Sequence, residues 1–182
     1  MPPRSVGLAM ALLGVIGIAL QLALYPRVSV RLGTVRSWRV SLCLFPVAYI
    51  LLPFLSLVPS SSNSPPPSQK TGPLIWLAIS AVLLVHVSAR TFAIPAQTIL
   101  VNNCSPHPSV LGTLHGIGQS VSSLARTVGP VVGGWVYGVG LAGGYVGVVF
   151  WGLAVVAVAG VVVSFWAREG DGHEIWLEGD EE

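Results

Sequence analysis

His115, Gln119, Ser122, Ser123 and Arg126 recur at intervals of three and four residues within Val110 to Tyr137, a stretch long enough to cross a bilayer. On a helix at about 100° per residue they fall, with Gly112, Gly116, Pro130, Gly133 and Gly134, within about 60° of Gln119. Leu114, Ile117, Val121, Leu124, Val128 and Val131 point elsewhere. An imidazole, an amide, two hydroxyls and a guanidinium in one row can hydrogen-bond a polar solute or hold an anionic group, and the imidazole can carry a proton. Covalent catalysis is not suggested. No nucleophile has a positioned base and no histidine has an acidic partner, so the chain is not expected to be an enzyme. An arginine at mid-span costs at least ~2.5 kcal/mol in lipid, so it must face a bundle interior or a water-filled cavity. The small residues beside it let a neighbouring helix approach closely.

That helix needs partners, and the composition supplies them. The 182 residues are 53% hydrophobic and 9% charged, with a mean hydropathy of +0.76, which is the composition of an integral membrane protein. All seven acidic residues lie from Glu169 onward, so residues 1–168 hold nine Lys or Arg and no carboxylate. The net charge of +2 therefore combines a basic body with an acidic tail. Such a body has no paired carboxylates for acid and base work, and its dispersed cations do not form a nucleic-acid surface. Cys43 and Cys104 give neither a disulfide framework nor metal-ligand spacing, and no cofactor or metal is expected.

Five spans are expected, at about 6–24, 40–58, 73–97, 110–137 and 145–166, in an all-α membrane domain over 1–168 followed by an acidic cytoplasmic tail over 169–182. The first run, Val6 to Leu24, is too long for the apolar core of a signal peptide and lacks a clear cleavage site, so it is read as a retained span. Gln21 within it is an interhelical hydrogen-bond partner. Arg27, Arg31, Arg36 and Arg39 crowd one connection, Tyr25 to Arg39, which the positive-inside rule makes cytoplasmic. Pro46 and Pro53 are tolerated in the second span. Pro59 to Gly72, rich in serine and proline, reads as a flexible outer loop.

The third span starts at Pro73 and carries His86, Arg90 and Gln97 on one face; Pro95 is expected to bend or end it. Asn102 to Ser109 reads as a tight inner loop, with His107 in it and an unused sequon at Asn103. Gly138 to Gly144 reads as a short outer turn. The fifth span, Tyr145 to Trp166, has hardly a polar atom and should face mostly lipid, with Arg168 anchoring its inner end.

Ser109 to Gly134, SVLGTLHGIGQSVSSLARTVGPVVGG, resembles the eleventh helix of a major facilitator superfamily transporter, in the drug:proton antiporter branch that includes proteins similar to zinc-induced facilitators and tetracycline-resistance pumps. The five-span pattern is similar to that fold's helices 8 to 12, its carboxyl-terminal half. Arg31-Leu32-Gly33-Thr34-Val35-Arg36 looks like the R-x-G-x-x-R core of the superfamily's cytoplasmic loop motif, with Val30 where the first-half copy has aspartate. Gly129-Pro130-Val131-Val132-Gly133-Gly134 also resembles the antiporter motif of the fifth helix, which allows a rival assignment to helices two to six. The missing aspartate, the acidic tail and the His115-to-Arg126 pattern favour the carboxyl half.

The resemblance implies alternating access, two six-helix halves rocking around a site near the bilayer midplane. Gln119 and Arg126 then line the substrate path, with His86, Arg90 and His115 behind them; Gly112, Gly116, Gly129, Pro130, Gly133 and Gly134 serve packing or hinge motion. With no ATP-binding loop, transport would be secondary and, in a complete form, proton-coupled. The chain would be a fragment or truncated form whose partners are the bilayer, a small-molecule substrate, and either the amino-terminal half of a transporter or a second copy. It would be a multi-pass protein of the plasma or vacuolar membrane. The alternative is a non-transporting membrane protein or accessory subunit associating through its glycine-rich face. The charge bias has a direct test: thiol labelling should find cysteines placed near Ser62 accessible from outside and those near Thr34 protected, and the reverse would overturn the orientation.

Overall fold

In the computed structural model, residues 3–58, 73–105, 108–145, 147–168 and 170 are described. The expected outer loop over Pro59 to Gly72, His107, and the tail apart from Gly170 lie outside them. The described chain is helical throughout: α1 (Pro3–Ala23), α2 (Tyr25–Leu32), α3 (Thr34–Phe54, extended by one 3-10 turn, Leu55–Leu57), α4 (Pro73–Asn103), α5 (Pro108–Ala142) and α6 (Val148–Ser164). Two helices, Thr34–Leu57 and Pro73–Asn103, are long and apolar enough to cross a membrane, and Leu13–Ala23 with Tyr25–Leu32 add a third if that pair, bent by 43°, is one span. Val148–Ser164 is a shorter apolar helix of 17 residues. The 35-residue α5 has the length of a span, but its polar row dilutes its apolar character.

α3 is the centre of the bundle. It packs along α4 on one side and α6 on the other, while α1 lies on α4, and α5 meets α6 and α4 over only short stretches. The contacts rest on small side chains: Ala48, Ala89 and Ala96 are fully buried, and Ser41 and Ser164 nearly so. Lipid tails compete equally for large apolar groups, so membrane helices gain by letting their backbones approach, and alanine and serine permit that approach. Both of these hydroxyls are satisfied within their own helix, Ser41 Oγ donating to Trp38 O at 2.6 Å and Ser164 Oγ to Val161 O at 2.6 Å. Between α1 and α4, Gly17 leaves room for Val87 and Thr91, whose side-chain atoms lie 3.6 and 3.8 Å from where a Cβ would stand.

Several boundaries depart from the sequence expectation. Tyr25 to Arg39 is not an open connection. Pro26 starts α2 in the first turn, where its missing N–H costs nothing, and Gly33, at φ +76°, breaks the chain direction before α3 begins at Thr34. Pro95 does not end α4. The helix continues to Asn103, because a proline removes one backbone hydrogen bond and neighbours within a bundle can tolerate that. The expected loop from Asn102 to Ser109 is thus entered by both helices, α4 running to Asn103 and α5 starting at Pro108. Gly138 and Gly140 are helical too, and the turn begins only at Gly143: Tyr145 N–H donates to Gly140 O at 2.7 Å and Gly144 N–H to Leu141 O at 3.1 Å. With Gly144 at φ +78°, this is the paired 6→1 and 5→2 arrangement that closes a helix at a left-handed residue.

Arg39 ties α3 to the far end of the chain. Its Nε donates to Ser164 O at 3.1 Å, and one guanidinium NH2 donates to Phe165 O at 3.2 Å and Ala167 O at 2.7 Å. The guanidinium also lies over the Phe165 ring, 5.4 Å from its centroid. The carbonyls at and just past the end of α6 lie at the negative end of its dipole, and although Ser164 O also accepts from Ala167 N–H at 3.2 Å, each carbonyl has a second lone pair, so a planar cation with several donors suits them. Arg39→Ala should lower the stability of the chain in mild detergent by about 2 kcal/mol, and Arg39→Lys should recover only part of it. Thermal unfolding of the three proteins, followed by circular dichroism, measures this; equal transitions would mean that the cap contributes nothing.

Candidate functional site

The expected polar row exists as one helix face, but it stands uncovered. α5 presents His115, Gln119, Ser122, Ser123 and Arg126 along about 16 Å of its length, and from Ser109 to Val139 no residue of it is buried. Gln119 and Arg126 are exposed. A Cβ added at Gly112, Gly116, Gly129, Gly133 or Gly134 would meet nothing within 4 Å, and Pro130 is exposed. Among the described residues, then, the small face of α5 faces open space. The short-range hydroxyls stay with their own helix: Ser120 Oγ donates to Gly116 O at 2.9 Å and Thr127 Oγ1 to Ser123 O at 3.0 Å.

His115 is the member of the row with a partner on another element. Its Nε2 lies 2.7 Å from Asn102 Oδ1, so the Nε2–H tautomer donates across the junction between the last turn of α4 and the first turns of α5. In this position the imidazole joins two helices. Asn102 did not stand out in the sequence because it looked like part of a polar loop, and only the continuation of α4 to Asn103 brings its amide to the start of α5.

His86 and Arg90, one turn apart on α4, are directed at different neighbours. His86 packs edge-on against two rings of α3, 5.6 Å from the Phe45 centroid at 81° and 5.7 Å from that of Tyr49 at 61°. Its Nδ1 is buried with no hydrogen-bond partner, so the aromatic face of α3 surrounds one polar atom that protein does not satisfy. Arg90 is exposed and lines a hollow of about 250 Å³ between α1 and α4 together with Gly17, Gln21, Thr91 and Pro95. Gln21 thus lines the α1–α4 hollow together with the Arg90 guanidinium. No Asp or Glu falls among the described residues, so Arg90 and Arg126 have no carboxylate partner among them.

The loop-motif residues divide similarly. Gly33 is the hinge between α2 and α3, and Arg31 and Arg36 flank it, both exposed. Arg39 could have been suspected only from its type, a fork of donors near the membrane boundary; its partners lie 125 or more residues away. A larger apolar groove of about 520 Å³, between the end of α3 and the start of α6, is lined by Pro53, Phe54, Tyr145, Phe150 and Trp151 among others. It carries none of the polar residues of the row. Among the described residues no group of three or more His, Cys, Asp or Glu could hold a metal ion.

The chain is similar to known proteins over nearly all of its length. It is 33% identical over 171 residues to a major facilitator superfamily multidrug transporter of Aspergillus fumigatus, covering 94% of this chain and 26% of that one. It is 26% identical over 170 residues to a major facilitator-type transporter of Psilocybe cubensis, covering 91% of this chain and 32% of the relative. The chain thus spans between a quarter and a third of the length of these curated relatives. No family model matches it, and no solved structure does.

Proposed function

We propose that this chain forms part of a secondary active transporter of the major facilitator superfamily, the membership that its similarity to two such carriers supports. In this proposal its helices stand for the eighth to twelfth of that fold, as five spans of a multi-pass protein in the drug:proton antiporter branch. A small molecule passes by alternating access between this half and an opposing one, coupled to protons in the complete carrier. The observation that carries the proposal is α5: 35 residues long, unburied from Ser109 to Val139, and bearing a polar row that lipid would not tolerate. Such a helix is complete only when its polar face borders a cavity, which an opposing half would close.

Gln119 and Arg126 are assigned to that cavity wall. Arg90, with Gln21, lines a second polar hollow one helix pair away, and His115 is assigned to positioning α5 through Asn102. His86 is a candidate proton carrier, since its free Nδ1 can accept a proton without breaking a protein hydrogen bond. The proposal is tested by cysteine scanning of α5 in a complete homologous carrier. Gln119→Cys should react with a water-soluble thiol reagent from one side of the membrane and be protected by substrate, whereas Val121→Cys, about 200° around the helix, should not react. Equal reactivity at both positions would remove α5 from the cavity.

A further inference from the structure

Of the four arginines between Tyr25 and Arg39, one is consumed by the fold and three are not. Arg39 is spent on the carbonyls at the end of α6. Arg27, Arg31 and Arg36 are exposed, and although Arg27 bends back to donate to Ala23 O, its other donors remain. Arg27 and Arg31, four residues apart, share one face of α2. Tyr25, about 120–160° around the helix from them, is half-buried, and its ring packs on Phe92 of α4 at 5.8 Å between centroids. α2 is therefore clamped to the bundle with its cationic face outward. It sits where the apolar run of α1 ends, bent 43° away from it. Beside the arginines, Val30 is 86% exposed, an apolar side chain with no cover among the described residues.

We propose that α2 and the first turn of α3 form a binding site for the headgroup of an anionic phospholipid, with Arg27, Arg31 and Arg36 around the phosphate and Val30 entering the acyl boundary. The charge is complementary, and residues 1–168 contain no carboxylate to compete for it. A lipid is favoured over a soluble anion by position. α2 lies between the end of α1 and the start of α3; with the 43° bend taken as the chain leaving the bilayer rather than as one broken span, the arginines lie at headgroup depth, and Val30 supplies the apolar contact that a free ion cannot use. The proposal rests on the chain spanning a membrane, so insertion is scored first and separately, by resistance to carbonate extraction.

The full chain is reconstituted into phosphatidylcholine vesicles containing a trace of spin-labelled phosphatidylserine or spin-labelled phosphatidylcholine, and the motionally restricted lipid is measured by electron paramagnetic resonance. The expected result is a preference for phosphatidylserine of roughly fivefold, weakened by salt and reduced to parity in Arg27→Gln/Arg31→Gln/Arg36→Gln. Arg31→Gln alone should give a partial loss if the triple variant fails to insert. Arg168→Gln, an exposed arginine outside the patch, should keep the preference. Parity in the unsubstituted chain would overturn the proposal, as would an equal loss in Arg168→Gln, which would indicate bulk charge. A preference that vanishes with inorganic phosphate at constant ionic strength would assign the site to free phosphate and overturn it too. One that emerges only when the seven terminal carboxylates are neutralised would assign the arginines to the tail, with the same consequence.

Discussion

Arg126→Ala in a complete homologous carrier should reduce transport at least about tenfold, an effect of about 1.4 kcal/mol or more, while Arg126→Lys keeps part of it. The guanidinium sits in the middle of α5 and is exposed, and no described residue offers it a carboxylate. A cation placed there is costly in lipid, so its counter-charge must come from an opposing helix or from the transported molecule. In either case alanine removes a charge that another group has been arranged to meet and leaves that group unpaired. Lysine restores the charge without the planar fork and should recover a fraction. Surface expression must be equal across the three proteins. Initial uptake rates separate the outcomes: an alanine variant with unchanged rate removes Arg126 from the cavity wall.

The second large effect is a null. The 182-residue chain, purified and reconstituted alone into vesicles with an imposed pH gradient, is expected to insert and to carry no flux above empty vesicles. α5 meets its neighbours only over short stretches, so nothing among the described residues closes a cavity around Gln119. Proton coupling needs a group that changes charge while facing that cavity. Before Glu169 the imidazoles able to gain and lose a proton are those of His86, His107 and His115. His115 is bonded to Asn102, and His86, the proton carrier proposed for the complete transporter, lies on α4 among the rings of α3 rather than on the open face of α5. The open face of α5 should instead drive self-association, visible as oligomers in mild detergent. Flux above background would show that the chain or its oligomer is itself a carrier.

What the sequence made legible, and what it hid, follows from the range of each signal. The helical, membrane-type character was readable because the apolar runs are long and charge-poor, and the polar row of α5 because its three- and four-residue spacing persists over about three turns. α2 was hidden. Four arginines in fifteen residues look like an open cytoplasmic connection, and eight residues give too short a period to reveal a helix. The glycines from Gly138 to Gly144 were recognisable as a terminator, yet only Gly144 needs its left-handed backbone, and Gly138 and Gly140 are helical. The core was obscured because many of its buried residues are alanines and serines, and the larger ones, such as Val82, Phe92 and Leu100, do not stand out from an apolar background. The directions of His86 and Arg90 could not be separated, since a helical wheel gives the angle between side chains and not which neighbour lies at each angle.

The cap that Arg39 places on α6 also sets a timetable for biosynthesis. Its backbone partner Ser164 follows it by 125 residues, and at about 5–20 residues per second the ribosome needs roughly 6–25 s to deliver that carbonyl. For that interval α3 is in the nascent chain with its guanidinium unmatched, while α4 and α5 are made and threaded past it. The bundle can be fastened only after α6 has left the ribosome. A stalled or prematurely ended chain would thus display an uncapped arginine at the membrane boundary, a feature by which a quality-control factor could distinguish unfinished molecules from finished ones.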